Sequence, residues 1–144
     1  MNIVCAEKQE LADIYQLERA LFGDHAYPLF FFRQAFDCWG KGLLVAKQDS
    51  QVAGYVLMTP TDKPQEYWVL SLAVDQEFRG MGVGRLLMQQ AIATLPQESK
   101  ILLTVDPNNT SACALYASMG FVTIKEEDNY FGEDQPRLVM QLII

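Results

Sequence analysis

Between Ala73 and Gln90 the chain reads AVDQEFRGMGVGRLLMQQ. Gly80, Gly82 and Gly84 alternate there, and Arg79 and Arg85 flank them. Strand-like apolar sequence precedes this loop and helix-like sequence follows it. Glycine removes side-chain bulk, so a ligand can approach the backbone closely. Successive N–H groups and the positive end of the following helix then make an anion site. The chemistry on offer is the holding of a phosphate-bearing ligand. A tight strand-to-helix turn with no ligand is the plainer alternative.

Several ligands are separable by spacing. A nucleotide-binding loop of the form G-x-x-x-x-G-K-[ST] is absent. A dinucleotide fingerprint needs G-x-G-x-x-G directly after a strand, and Leu87 stands where the third glycine belongs. Asp106, at the end of the next expected strand, imitates a ribose-binding acid. The G-x-G-x-G spacing is also similar to that of S-adenosylmethionine methyltransferases, but DQEFR separates these glycines from the strand tip.

The elements that must position this loop follow from periodicity. NIVCA (Asn2–Ala6) reads as a strand. QELADIYQLERALF (Gln9–Phe22) has apolar residues at helical spacing, with Glu18 as a polar lapse. GDHAYP breaks it, and LFFFRQAFDCW (Leu29–Trp39) reads as an aromatic-rich helix ended by Gly40 and Gly42. GLLVAKQ (Gly42–Gln48), the turn DSQ and VAGYVLMTP (Val52–Pro60) form a hairpin. EYWVLSLAVD (Glu66–Asp75) is nearly continuous in apolar residues, as expected of a central strand buried on both faces. After the glycine loop, GRLLMQQAIATL (Gly84–Leu95) is a helix and KILLTVD (Lys100–Asp106) another buried strand. PNNTSACALYASMG carries helix-capping signals at its start and a glycine stop at Gly120. FVTIKEE (Phe121–Glu127), the loop DNYFGEDQP and RLVMQLII (Arg137–Ile144) close the chain as two strands. The last strand is expected to offer an open edge that could pair in a dimer. The order is β-α-α-β-β-β-α-β-α-β-β, one α/β (α+β) domain over residues 1–144, with about seven strands and about four helices.

Composition narrows the setting. The chain has 144 residues, half of them hydrophobic, which suits one domain with a sizeable core. A formal charge of −7 argues against nucleic-acid binding and suits a cationic substrate. No apolar run reaches the roughly 18–20 residues of a membrane span, and no signal peptide is visible. Cys5, Cys38 and Cys113 are odd in number and widely spaced, and His25 is the one histidine, reading as a surface residue. Neither a disulfide framework nor a metal site is expected, and a reducing, cytoplasmic setting is the default.

Two further motifs point to one family. Arg79, Gly82 and Gly84 satisfy [Q/R]-x-x-G-x-[G/A], the acyl-CoA signature of the GNAT N-acetyltransferase superfamily. NNTSACALYASMGF resembles that family's second signature, N-x-x-A-x-x-L-Y-x-x-x-G-F, through Asn109, Ala112, Leu115, Tyr116, Gly120 and Phe121. The element order is also the family's, so the resemblance covers essentially the whole chain. It implies a single GNAT-type domain, acetyl-CoA as cosubstrate and no metal. In the family, the fourth and fifth strands splay and the pantetheine arm pairs with the fourth. By that likeness Leu72, Ala73 and Val74 supply backbone hydrogen bonds, a form of β-augmentation. Gly80, Met81, Gly82, Val83, Gly84 and Arg85, with Arg79, hold the pyrophosphate, and Asn109 helps hold the CoA arm. Relatives carry more arginine at the positions of Gly80 and Met81.

The reaction implied is attack of an amine on a thioester. Tyr116 is the catalytic candidate: a phenol of pKa about 10 can protonate a thiolate whose conjugate acid lies near 8.5. On spacing alone Tyr116 reads first as a core aromatic on an amphipathic helix, and the surrounding motif reverses that order. IYQLERALF, FFFRQAF and NYF…LVMQL most resemble bacterial ribosomal-protein alanine N-acetyltransferases and other protein N-terminal acetyltransferases. The bacterial enzymes carry a glutamate where this chain has Thr104, which cannot be a base. Glu66 is the second catalytic candidate, acting through water, with a solvated strand-end carboxylate as its plainer reading. No strong base is needed if the acceptor is an α-amine of pKa about 8, whereas lysine near 10.4 is almost wholly protonated. Tyr130 and Phe131, in the loop between the last two strands, are acceptor-site candidates. Tyr27, with Phe30 and Phe31, is a candidate for the other wall, core packing being the alternative. Cys113 reads as a buried thiol. The leading acceptor is a protein or peptide N-terminus. A small amine (polyamine, amino acid or aminoglycoside) and a CoA-binding module without activity are the alternatives. Monomer and homodimer stay open.

Overall fold

The computed structural model describes residues 1–144. Its elements are β1 (Asn2–Cys5), α1 (Leu11–Phe22), α2 (Leu29–Trp39), β2 (Leu43–Gln48), β3 (Gln51–Pro60), β4 (Glu66–Val74), α3 (Val83–Ala93), β5 (Lys100–Val105), α4 (Thr110–Ser118), β6 (Val122–Glu127) and β7 (Arg137–Ile143). This is the expected order. The strands form a seven-stranded sheet, β1-β2-β3-β4-β5-β7-β6. β4 and β5 pair in parallel, and β1–β2, β2–β3, β5–β7 and β6–β7 are antiparallel. Two compact units divide the chain: Met1–Thr59 with Ser71–Leu95, and Pro60–Leu70 with Pro96–Ile144. No helix is long and apolar enough to cross a membrane.

In the first unit, α1 buries Leu11, Ile14 and Leu17, and α2 buries Phe32 and Ala35. Val83, Leu87, Met88 and Ala91 make the buried stripe of α3 at helical spacing. Val52 to Met58 are buried without a break along β3, so its residues are covered on both faces. Two glycines in this unit are required by close approach. A Cβ at Gly42 would lie 1.9 Å from the Met58 carbonyl oxygen, and one at Gly54 would lie 2.8 Å from that of Ala73. A register shift between Ala46 and Lys47 accompanies Gly54 in the β2–β3 ladder.

In the second unit, β5 pairs with β7 from Lys100↔Ile143 to Val105↔Leu138. Val69, Ile101, Leu102, Leu103, Val105, Val139 and Met140 are the unit's buried apolar strand residues, and Tyr116 on α4 and Phe121 after it are buried as well. Gly120 takes a φ of +100°, which ends α4 as its position implied. β6 pairs with β7, but the register slips between Thr123 and Lys125 and leaves Ile124 out of the ladder.

Five expectations need correction. β7 is not an open edge: it lies between β5 and β6, and the edges are β1 and β6. β4 is not buried on both faces: Val69, Ser71 and Ala73 are buried, whereas Leu70, Leu72 and Val74 are half-buried. Its apolar run is continuous, but protein covers one face more fully than the other. Glu18 is not a lapse of α1 toward solvent, being 2% exposed. Phe30 is 69% exposed and is no part of the core, because Phe32 occupies the inward turn of α2. Cys113 is half-buried rather than enclosed, its thiol lying 3.7 Å from the Asp106 carbonyl oxygen.

Candidate active site

The glycine loop belongs to the first unit. Asp75 accepts the N–H of Glu77 at 2.9 Å and starts a short turn over Gln76–Phe78. Phe78 is buried and anchors the turn, while Arg79 is exposed. Gly80 and Gly82 follow with φ of +80° and +76°, and a Cβ at either would meet no atom within 4 Å. Their glycine requirement is therefore conformational, since a left-handed backbone costs other residues about 1–2 kcal/mol. Gly82 caps α3 and has no side chain with which to accept the N–H groups of the first turn. The first helical bond there runs from Leu86 N–H to the Gly82 carbonyl. The donors of Val83, Gly84 and Arg85 lie ahead of it, at the positive end of the helix. Gly84 lies inside the first turn of α3, without a positive φ. What it contributes is the lack of a side chain beside those donors.

β4 leads into this loop. Its ladder with β5 pairs Glu66 to Val69 with Lys100 to Leu103 and ends there, whereas β4 continues to Val74. Leu72, Ala73 and Val74 thus lie beyond the last β5 partner. On its other side the strand is held by β3: Asp75 N–H donates to the Ala53 carbonyl at 2.8 Å, and Gly54 admits the Ala73 carbonyl. An extended amide-bearing ligand can pair with such an edge.

Three buried polar residues meet beside this strand. The Glu18 carboxylate accepts the Tyr55 hydroxyl, the Ser71 hydroxyl at 2.7 Å and the backbone N–H of Tyr27 at 2.8 Å. Burial, and then the Glu18 charge, push the Tyr55 phenol up, so it stays protonated and donates. Sequence reasoning missed this cluster. Its one signal was the charged residue on the apolar stripe of α1.

The second unit carries the remaining candidates. Asn109 caps α4 through its side-chain oxygen, which accepts Ala112 N–H at 3.1 Å. Its amide nitrogen keeps the donor capacity that a ligand would use. Tyr116 lies seven residues on, about two turns along the helix. It is 7% exposed, and its ring meets Phe121 edge-on at 5.8 Å. Burial, with a smaller contribution from Cys113, pushes its phenol up to about 12. The side chain is therefore a proton holder at neutral pH, never a base. Glu66 is engaged elsewhere: its carboxylate accepts the Thr61 hydroxyl at 2.7 Å, and its carbonyl accepts Thr61 N–H at 3.0 Å. It closes the turn before β4, about 20 Å by strand rise from Leu72. Thr104 pairs with Val139 in the β5–β7 ladder.

Tyr130 and Phe131 sit in the β6–β7 loop with ring centroids 4.7 Å apart. The Arg137 guanidinium lies 5.1 Å from the Phe131 ring centre. Phe131 is exposed, and the Tyr130 phenol is raised by burial first and then by Glu127. Tyr27 stacks on Phe31 at 4.3 Å. Thus Leu72–Val74, the glycine loop and Tyr27 share the first unit, and Asn109, Tyr116, Tyr130 and Phe131 share the second. Glu66 lies at the opposite end of β4 from Val74. No three His, Cys, Asp or Glu side chains gather as a metal-ligand set.

The model of the acetyltransferase (GNAT) family matches residues 9–121. An N-alpha-acetyltransferase of Sulfurisphaera tokodaii is 25% identical over 79% of this chain and 76% of its own. The N-alpha-acetyltransferase RimI of Mycobacterium tuberculosis is 28% identical over 81% of this chain and 75% of its own. The crystal structure of Ard1 from Thermoplasma volcanium superposes with a TM-score of 0.89 at 22% identity, covering 99% of this chain and 97% of that one.

Proposed function

The chain belongs to the acetyltransferase (GNAT) family and uses acetyl-CoA as its cosubstrate, and we propose that its acceptor is the α-amine of a protein or peptide N-terminus. One observation carries the acceptor: an archaeal and a bacterial relative, each matched over about four-fifths of this chain, are both N-alpha-acetyltransferases. In this reading the free backbone edge of Leu72, Ala73 and Val74 pairs with the pantetheine arm. Gly80 to Arg85, with Arg79, hold the pyrophosphate through N–H groups and charge, and Asn109 supports the arm.

The neutral amine attacks the thioester carbonyl, a C–N bond forms and the C–S bond breaks. The thiolate takes its proton from Tyr116, the proton of the amine passes to water, and the phenolate regains a proton from solvent before the next turnover. Glu66 is not given the base role, because its carboxylate closes a turn with Thr61. An α-amine of pKa about 8 is neutral often enough to react without a strong base. Tyr27, Tyr130 and Phe131 contact the acceptor. The cytoplasm is the compartment we propose, on three cysteines that form no disulfide.

The test is CoA thiol release from acetyl-CoA against matched acceptors. One peptide has a free N-terminus and blocked lysines, a second has the reverse, and a third sample holds small amines. Release with the first alone is the expected result. Release with small amines alone would replace the acceptor and keep the chemistry.

A further inference from the structure

Glu18 is the one buried carboxylate that the transfer chemistry above leaves unused in the first unit beside Leu72–Val74. Its three partners are neutral donors rather than a cation. Burying a carboxylate this way is costly unless its lone pairs are used, and an apolar residue would pack α1 as well. The arrangement therefore calls for a reason other than packing.

We propose that Glu18 is a positioning residue for the acceptor, fastening the segment that carries Tyr27 to the strand that carries the thioester. This rests on the acceptor and cofactor reading above. One oxygen takes the N–H of Tyr27, and the other takes the hydroxyl of Ser71, the residue before Leu72. The Tyr27 segment needs such a tie. It lies between Ala26, whose N–H closes a short turn on the Gly23 carbonyl at 3.1 Å, and Pro28, which caps α2, so Glu18 ties the Tyr27 N–H across the fold where these local bonds stop. A second linkage runs through rings: Tyr27 on Phe31 at 4.3 Å, Phe31 against Phe32 at 5.7 Å and Phe32 against Tyr55 at 5.5 Å. Tyr55 thus meets the same segment through its ring and Glu18 through its hydroxyl. Loss of the carboxylate removes the acceptor of the Tyr27 N–H while the pyrophosphate loop and the β4 edge stay intact.

Glu18→Leu removes every acceptor oxygen. It is expected to raise the acceptor KM about tenfold or more, with the acetyl-CoA KM within about twofold. Glu18→Gln is expected to restore most of the wild-type value, because its oxygen can keep Tyr27 while its nitrogen turns to the two hydroxyls. Tyr55→Phe keeps the Ser71 and Tyr27 bonds and is expected to leave the acceptor KM unmoved whatever it does to melting temperature. The proposal is overturned if the acceptor KM is unchanged in Glu18→Leu, if the acetyl-CoA KM rises in step, or if Tyr55→Phe gives the same rise. Should Glu18→Leu not fold, amide exchange at Tyr27 in the wild-type protein decides. Protection about a hundredfold or more over an unstructured peptide supports the tie, and free exchange refutes it. A wild-type enzyme that takes only small amines would sink the N-terminal reading, while the Glu18 comparison would run on the small amine.

Discussion

Tyr116 is held where its proton is hard to lose. Burial disfavours the phenolate, so the group stays a donor through the pH range in which an α-amine becomes neutral. The rate is therefore expected to climb through pH about 8 as the amine deprotonates. No compensating fall is expected below about pH 11 if the phenol is the only acid. Tyr116→Phe should lower kcat about a hundredfold and leave acetyl-CoA binding intact by calorimetry. The same shift acts on stability. A raised folded-state pKa means the contribution is full below the ordinary phenol value and is lost as pH climbs from there toward 12. Glu66→Gln offers the opposite case. A general base would cost about a hundredfold or more when removed, whereas a turn-closing carboxylate replaced by an amide should leave kcat within about twofold. Steady-state kinetics on both variants separates the roles.

Among the elements, β3 and β4 set the geometry of the edge proposed above to pair with the pantetheine arm. A methyl group at Gly54 would press on the Ala73 carbonyl, which belongs to the backbone and cannot swing aside, and on the Leu87 side chain, which can. Gly54→Ala is expected to destabilise the fold by about 1–3 kcal/mol and to weaken acetyl-CoA binding, whereas Gly40→Ala, with open space around it, should do neither. Denaturant unfolding and ligand titration check the pair. These elements also mark the reach of sequence reasoning. Helices and strands were legible because periodicity reports which side chains share a face: α2 begins and ends as expected. The glycine loop and the α4 cap were legible because both depend on local backbone chemistry. Glu18 was not, since a charged residue reads as solvated until its three donors, from Tyr27, Tyr55 and Ser71, are known. Nor was the place of β7 inside the sheet, because strand periodicity carries no information about neighbours. The mid-strand glycine of VAGYVLM was the available sign of a close approach at Gly54.

For the whole molecule, the formal charge of −7 opposes a polyanionic cosubstrate and attracts a cationic amine. Both effects are long-ranged and shrink as the Debye length falls to about 8 Å at physiological ionic strength. Added salt is thus expected to speed acetyl-CoA association and to slow association of a peptide with a free N-terminus, which stopped-flow measurements at two ionic strengths can compare. The outer edge of the sheet bears on a different matter. β6 leaves Ile124 out of register, and its outward residues run into Lys125, Glu126 and Glu127, with Lys125 and Glu127 paired at 2.5 Å. A strand that is bulged and charged along its rim is a poor template for another chain. In a crowded cell, that irregularity keeps the β6 edge from nucleating a shared sheet with another chain.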